Sequence, residues 1–211
     1  SSEFKLGVAY TRNALNSLGG ELRISAAIGR EDELGIDFYQ PVDKDANWFV
    51  EPKVFLRRQQ YNVWEGDTRL AILDIVGQGG RLGFGRNLST TDLIRLNYEY
   101  AKGKTEYVAG LPPPDQDDNV DIGEFQLEFL HDSLDSFWFP SQGMFHFLGY
   151  RYASTELGAA SDYEQAMANG SFAFSPTAKD SFLLNYELGY SFDDKAPLER
   201  WFELGGFGRL S

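Results

Sequence analysis

The sequence predicts an all-β protein, and three observations point to a transmembrane antiparallel β-barrel of the outer-membrane type. Apolar residues recur with a period of two along most of the chain, as in strands with two different faces. Many of these runs approach the roughly ten residues that a tilted membrane-crossing strand needs, whereas soluble strands most often have about five or six. Aromatic residues make up 15% of the chain and lie mainly near the ends of the runs, where lipid interfaces are found.

The alternation defines about ten or eleven strands in chain order. The runs are centred on residues 4–10, 22–28, 34–38, 50–56, 71–75, 94–100, 125–129, 145–152 and 182–192. The last is the clearest, because its apolar residues alternate with polar or small ones at almost every position. We expect one face of each strand to be apolar and the other to be polar.

Segments rich in Gly, Asn, Asp and Pro separate the runs and predict turns. They are residues 16–20, 41–45, 77–80, 175–177 and 193–195. Two longer polar segments, 111–119 and 154–169, read as loops. Short turns on one side and long acidic loops on the other are typical of the periplasmic and extracellular ends of an outer-membrane barrel.

A soluble β-sandwich remains an alternative, because its strands alternate in the same way around a dry core. The placement of the large aromatic residues favours the membrane, since residues of this kind form girdles at both lipid interfaces. The residues on which this interpretation depends are Tyr39, Trp48, Trp64, Tyr107, Trp138, Tyr150, Tyr152, Tyr190 and Trp201.

Composition excludes several other classes of protein. The formal net charge is -13, which disfavours nucleic acid as a partner because that affinity comes largely from Lys and Arg. There is no cysteine, so disulfides, thiolate nucleophiles and cysteine-based zinc sites are excluded. No run approaches the roughly 18 apolar residues of a transmembrane helix. The first ten residues also lack the pattern of a signal peptide.

The segment Asp132-Ser133-Leu134-Asp135-Ser136-Phe137-Trp138-Phe139-Pro140-Ser141-Gln142-Gly143 carries a specific pattern. It resembles the hairpin motif D-x-L-D-x-x-x-F-P-x-x-G of the BamA-like bacterial surface-antigen barrel superfamily. The resemblance implies a periplasmic turn between two strands in the later half of the barrel. Pro140 and Gly143 would form the turn, and Phe137 to Phe139 would anchor it at the interface.

A second pattern lies at the end, where Leu198-Glu199-Arg200-Trp201-Phe202-Glu203-Leu204-Gly205-Gly206-Phe207-Gly208-Arg209-Leu210-Ser211 is found. It resembles the entry into the inward-folded sixth loop of the same superfamily, whose tip usually reads V-R-G-F or V-R-G-Y. The different tip here, together with residues 10–23 and 38–41, is similar to the barrel of patatin-like phospholipase autotransporters of the PlpD type, a branch of type V secretion.

The resemblance implies a role for Arg209 at the tip of this loop. With Gly205, Gly206 and Phe207, it would anchor the loop inside the lumen, where Asp132 or Asp135 would accept its bidentate hydrogen bonds. The full family barrel is expected to have about sixteen strands. Residues 1–211 would then form one barrel (translocator) domain that ends before the last strands.

Other candidate sites are interpreted as plain structure. His131 and His146 lie on different strands, and we expect a structural role rather than a metal pair. Residues 115–121 lack the ligand spacing of a calcium loop. The glycine-rich run from Gly77 is not followed by the Lys and helix of a phosphate loop and reads as a tight turn. No G-x-S-x-G element is found, so we expect neither a catalytic site nor a cofactor.

These observations predict a bacterial outer-membrane translocator or anchor domain that helps to secrete or display an N-terminal patatin-like lipase passenger. The resemblance implies a periplasmic POTRA-type module, contact with outer-membrane lipid and a lipase activity confined to the passenger. A homo-oligomer is compatible with this prediction. Three alternatives stay open: a general assembly factor for outer-membrane proteins, a two-partner secretion barrel and a soluble β-sandwich binding module.

Overall fold

The computed structural model describes residues 4–29, 31–65, 68–110, 119–177, 179–193, 196–197 and 200. These residues form one ten-stranded sheet in which every strand pairs antiparallel with its neighbours in sequence. The strands are β1 (Lys5–Arg12), β2 (Glu21–Gly29), β3 (Glu31–Pro41), β4 (Trp48–Glu65), β5 (Thr68–Asn87), β6 (Asp92–Gly110), β7 (Ile122–Asp132), β8 (Gly143–Ala153), β9 (Tyr163–Phe174) and β10 (Phe182–Ser191).

The single sheet confirms the predicted all-β antiparallel class. A sandwich needs two packed sheets, so the alternative of a soluble sandwich is wrong for the part of the chain that the structure describes. The one helical element among those residues is a short 3-10 turn, Thr155–Leu157. No helix of the described ranges is long and apolar enough to cross a membrane.

The two faces of the sheet differ in the way the period-two pattern predicts. The apolar face presents large hydrophobic side chains to the outside, among them Leu56 at 52% exposure, Leu96 at 47% and Leu184 at 65%. The polar face carries charged side chains such as Glu51 and Arg95, which pair with each other. Each large apolar side chain gains about 1.5–3 kcal/mol on leaving water. Lipid against the apolar face supplies that gain across the whole sheet.

Aromatic residues mark both ends of the apolar face, although two of the predicted girdle residues that the structure describes are placed elsewhere. The side chains of Trp64 and Trp201 lie outside the described part of the chain. Trp48 stacks on Phe84 near the turn between β3 and β4, with ring centroids 5.3 Å apart. At the opposite end Tyr190 packs edge-on against Phe192. The prediction for Tyr39 and Tyr107 is wrong, because both face the other side. Tyr39 packs on the buried Phe49, and Tyr107 packs against a buried apolar cluster.

Strands β4, β5 and β6 are longer than a membrane requires. They contain 18, 20 and 19 residues, about twice the length of a membrane-crossing strand. The outward side chains of β6 change from Leu96 and Tyr100 to Lys102 and Lys104 about halfway along. The second half of these strands, residues 58–65, 68–76 and 102–110, therefore stands beyond the apolar band. We call it the projection.

The prediction of a turn at Gly77–Gly80 is wrong, because these residues lie in the interior of β5. Gly79 is opposite Phe55 of β4, and a Cβ at Gly79 would lie 2.4 Å from the backbone oxygen of Tyr100. Gly85 is likewise opposite Phe49, whose ring occupies the space that a side chain would need. Glycine recurs at alternate positions here because aromatic rings from β4 cover the backbone of β5.

The prediction that residues 154–169 form a loop is wrong in its second half. The connection ends at residue 162, and β9 begins at Tyr163. The outward positions of this part of β9 include Ala166 and Ala168, which pair with Tyr150 and Leu148 of β8. Small alanines give little hydrophobic contrast to the polar residues between them, so the period-two signal is weak although the strand is complete.

Two adjacent leucines of β10 test which face meets lipid. Leu184 lies on the apolar face, and Leu183 is opposite the buried Ala173 on the polar face. We expect Leu184→Arg to make the free energy of membrane insertion less favourable by about 2–4 kcal/mol, because arginine near the middle of the bilayer is unfavourable. Leu183→Arg is the matched control and should insert nearly as wild type does. Yield in the outer-membrane fraction and the heat-dependent gel shift measure both, and equal loss in the two variants would contradict the assignment of the faces.

Candidate functional site on the polar face

A buried arginine from the segment after β10 lies between two glutamates of the polar face. Arg200 Nη2 is 3.0 Å from Glu99 Oε1 on β6 and 2.8 Å from Glu124 Oε1 on β7. The side chains are 10%, 8% and 0% exposed, in that order. We call these three residues the Arg200 cluster. It joins the chain beyond the last described strand to the middle of the sheet.

Neighbouring strands hold the Arg200 cluster in place. The hydroxyl of Tyr163 on β9 donates a hydrogen bond to the second oxygen of Glu124. The amide of Gln165 donates to the backbone oxygen of Arg200 over 2.8 Å, so both the side chain and the backbone of this residue are held. Arg57 of β4 lies 3.5 Å from Glu99. Strands β4, β6, β7 and β9 therefore converge on one inward-directed arginine.

A second group of charges lies on the same face, nearer the turn between β7 and β8. Arg95 donates to Glu51 over 2.6 Å through Nη1 and to Glu128 over 2.7 Å through Nη2. Its Nε also donates to Glu128. Arg81 reaches the other oxygen of Glu51 at 3.4 Å. Two carboxylates again share one arginine, and here Nε, Nη1 and Nη2 of Arg95 all donate to them, as charge-assisted pairs of arginine and carboxylate do.

This arrangement suits a wall that faces an aqueous interior and holds a chain segment against it. Charged residues in a barrel are placed on the lumen side because lipid excludes them. A charge shielded from water needs a partner, and removing one member of a buried pair typically costs about 3–5 kcal/mol. The Arg200 cluster is therefore a specific anchor for the segment that follows β10.

The predicted hairpin motif forms the connection between β7 and β8. The carboxylate of Asp135 accepts hydrogen bonds from the Ser141 amide at 2.8 Å and the Ser141 hydroxyl at 2.5 Å, and one from the amide of Gln142. Asp132 accepts from the amide of Leu134. Gly143 has φ +98, and a Cβ there would lie 2.1 Å from the backbone oxygen of Ser133. Pro140 precedes the Ser141 that Asp135 binds.

The aromatic residues at the tip of this hairpin are strongly exposed. Phe137, Trp138 and Phe139 are 86%, 79% and 88% exposed, and the first two pack edge-on. The tip lies at the same end of the sheet as Trp48, which begins β4, and Phe84, which lies three residues before the end of β5. Amphipathic rings in this position suit a lipid interface.

The predicted anchor Arg209, with Gly205, Gly206 and Phe207, lies outside the described residues, so its docking stays a prediction. The described arginine of the terminal motif is Arg200, and the carboxylates that contact it are Glu99 and Glu124. The carboxylate of Asp135 instead accepts hydrogen bonds from Ser141 and Gln142 within its own turn. Sequence reasoning quoted Arg200 inside the terminal motif without assigning it a role. The sequence did carry a signal for the partners of Arg200. Each of two predicted strands has a glutamate, Glu99 or Glu124, at a position on its polar face.

The two histidines are neighbours across β7 and β8 on the apolar face. Their ring centroids are 6.2 Å apart. His131 hydrogen-bonds Asp92 through Nδ1 at 2.7 Å and Ser133 through Nε2 at 3.0 Å, and His146 Nδ1 lies 2.9 Å from the hydroxyl of Tyr186. No group of three or more potential metal ligands forms among the residues that the structure describes.

A continuous sheet with a lipid-facing apolar side and a charged inner side defines an outer-membrane β-barrel protein. The model of the Omp85 superfamily domain matches residues 15–210. The chain belongs to the Omp85 superfamily, and its place is the bacterial outer membrane.

Two solved structures are similar to the chain in fold. The first is BamA from Haemophilus ducreyi lacking POTRA domains 1–3, with a TM-score of 0.77, 13% identity, and coverage of 97% of this chain and 42% of that one. The second is CdiB from Escherichia coli, with a TM-score of 0.61, 12% identity, and coverage of 90% and 37%. The chain thus spans less than half the length of either protein. No curated protein matches the sequence significantly.

Removing the guanidinium of Arg200 should destabilise the barrel. Arg200→Ala leaves Glu99 and Glu124 without their closest cation, so we expect unfolding to be easier by about 3–5 kcal/mol. Arg200→Lys should recover part of the loss, because both glutamate contacts run through the single nitrogen Nη2 and an ammonium keeps the charge on a shorter donor group. The temperature at which the folded gel band disappears measures this. Arg12→Ala, at an exposed position of β1, is the control, and identical transitions for Arg200→Ala and wild type would contradict the anchor.

The hairpin should depend on pH through Asp135. The Ser141 hydroxyl, with the amides of Ser141 and Gln142, lowers the pKa of Asp135 below its ordinary value of 3.8. A lowered pKa means that the carboxylate stabilises the turn above pH 3.8 and that this stabilisation is lost as the pH falls through the lowered pKa. The amide proton shift of Ser141 in an acid titration by NMR reports this. Asp135→Asn should abolish the transition, and its persistence in that variant would assign it to another group.

Proposed function

We propose that this chain is the barrel domain of a type V secretion protein. In this proposal it anchors an N-terminal patatin-like lipase passenger in the outer membrane and helps to secrete or display it. The barrel itself carries no catalysis, because the lipase chemistry belongs to the passenger. A POTRA-type module in the periplasm connects the two.

The observation that carries the proposal is the anchored segment on the polar face. A translocator needs an aqueous interior that keeps a defined conformation while an exported polypeptide passes through it. The polar face supplies the water-compatible wall, with arginine and glutamate side chains in reach of one another. Arg200 fixes the segment after β10 to that wall at two carboxylates. Omp85 membership supports the same class of function.

The choice of passenger depends on the sequence resemblance. The terminal motif enters like that of the superfamily and then reads Gly208-Arg209-Leu210-Ser211, which is similar to the patatin-linked branch. A general assembly factor and a two-partner exporter share the barrel fold and differ in what they handle. The discriminating property is therefore the origin of the cargo: the same polypeptide, a separate secreted protein, or other outer-membrane barrels.

Surface display by intact cells tests the proposal. The full-length protein should expose a lipase domain that added protease removes from whole cells. Arg200→Ala should leave that domain protected in the periplasm, whereas Arg12→Ala should display it normally. Three results would contradict the proposal: an upstream sequence with no patatin-like domain, periplasmic retention of a separately encoded protein when the gene is deleted, or loss of several unrelated outer-membrane barrels after the deletion.

A further inference from the structure

The apolar face carries a recess at the boundary between the lipid band and the projection. It has a volume of about 850 Å³ and crosses strands β2 to β6. Ile28, Leu34, Leu56 and Val76 form its apolar floor. A second cavity of about 570 Å³ continues from it towards the middle of the membrane and shares Leu34 and Leu56. Together they form one groove, which we call the outer groove.

The glycine-rich segment of β5 creates the deeper half of the outer groove. Across the sheet, Val54 of β4, Gly80 of β5 and Tyr100 of β6 lie in one row. All three line the deeper cavity. Gly80 has no side chain, so a channel runs between the Val54 and Tyr100 side chains. Neighbouring strands lie about 4.8 Å apart, so the channel over Gly80 spans roughly two strand spacings and runs along the strands.

The upper rim of the groove carries exposed cations beside carboxylates, in a protein with a net charge of -13. The side chains of Lys102 and Lys104 are exposed on the outward side of β6, and no ion pair or side-chain hydrogen bond joins them to another residue that the structure describes. Arg58, the third cation of the rim, is already neutralised by Asp32 at 2.6 Å and Asp74 at 3.4 Å. Three further carboxylates line the recess. Glu33 pairs with Lys53, Asp121 accepts a hydrogen bond from the amide of Gly103 at 3.2 Å, and Glu106 is exposed. The two lysines are therefore available to an external anion.

We propose that the outer groove binds one anionic, phosphate-bearing lipid. An acyl chain lies over Gly80 between Val54 and Tyr100, and the phosphate meets Lys102 and Lys104. A lipid fits better than a peptide, because the floor is continuous with the surface that already faces hydrocarbon and the two lysines lie two and four residues beyond Tyr100 on the same side of β6, at headgroup level. The lipid bound in the outer groove thus fixes the orientation and depth of the barrel in the membrane on this side of the sheet.

Lipid retention tests the proposal with the complete protein. The protein is placed in bilayers of phosphatidylglycerol and phosphatidylcholine that have identical acyl chains, and bound lipid is counted by native mass spectrometry. Two lysines at the membrane surface predict a preference for the anionic lipid of about tenfold or more. Lys102→Gln with Lys104→Gln should abolish the preference. Lys44→Gln with Lys179→Gln removes the same charge from turns at the other end of the sheet and should keep it.

Two further arms separate the headgroup from the chain. Gln78→Trp fills the neck shared by the two cavities, so retention of the anionic lipid should fall although both lysines remain. Inorganic phosphate in excess should not displace the lipid, because the acyl chain contributes to binding. Equal retention of the two lipids by wild type, unchanged retention in Gln78→Trp, or displacement by phosphate alone would overturn the proposal. The heat-dependent gel shift verifies that each variant is folded.

Discussion

The structure depends on one constraint: a backbone that crosses lipid must satisfy its hydrogen bonds within the protein. Here each strand pairs with the next in sequence, from β1 to β10, without a break in the order. In this meander the side chains determine which side of the sheet contacts water. Because side chains alternate from one face to the other, a strand that meets lipid on one side is free to carry charge on the other. The apolar face and the polar network follow from the same geometry.

The polar face uses this freedom to hold chain segments by charge rather than by apolar packing. Its two arginine-centred groups each place two carboxylates around one guanidinium. Such groups contribute specificity more than stability, because desolvation offsets much of the attraction. Under the proposed function, such a specific but breakable anchor would keep the segment after β10 in one position until the passenger is exported. Arg200 is therefore both a structural contact and the centre of the proposed function.

The period of the sequence predicted the strands wherever apolar and polar residues contrast. It failed in β9, where Ala166 and Ala168 occupy outward positions, and in β5, where alternate glycines resembled a turn. In both places the information lies in the neighbouring strand: Phe49 and Phe55 cover the glycines, and Tyr150 flanks Ala166. A single sequence does not contain that register. For the same reason the motif at the end of the chain predicted Arg209 as the inward arginine, which lies outside the described residues, and assigned no role to Arg200, whose partners come together only when β6 pairs with β7.

The central claim is that the apolar side of this sheet touches hydrocarbon while the polar side faces water. The chain contains no cysteine, so a nitroxide can be attached at single introduced cysteines from Phe182 to Ser191 without background labelling. Collision with oxygen and with a water-soluble nickel complex then reports the surroundings of each position. We predict strict alternation, with even-numbered positions accessible to oxygen and odd-numbered positions to nickel. Shielding of Phe182, Leu184, Tyr186 and Leu188 from both reagents would contradict the claim.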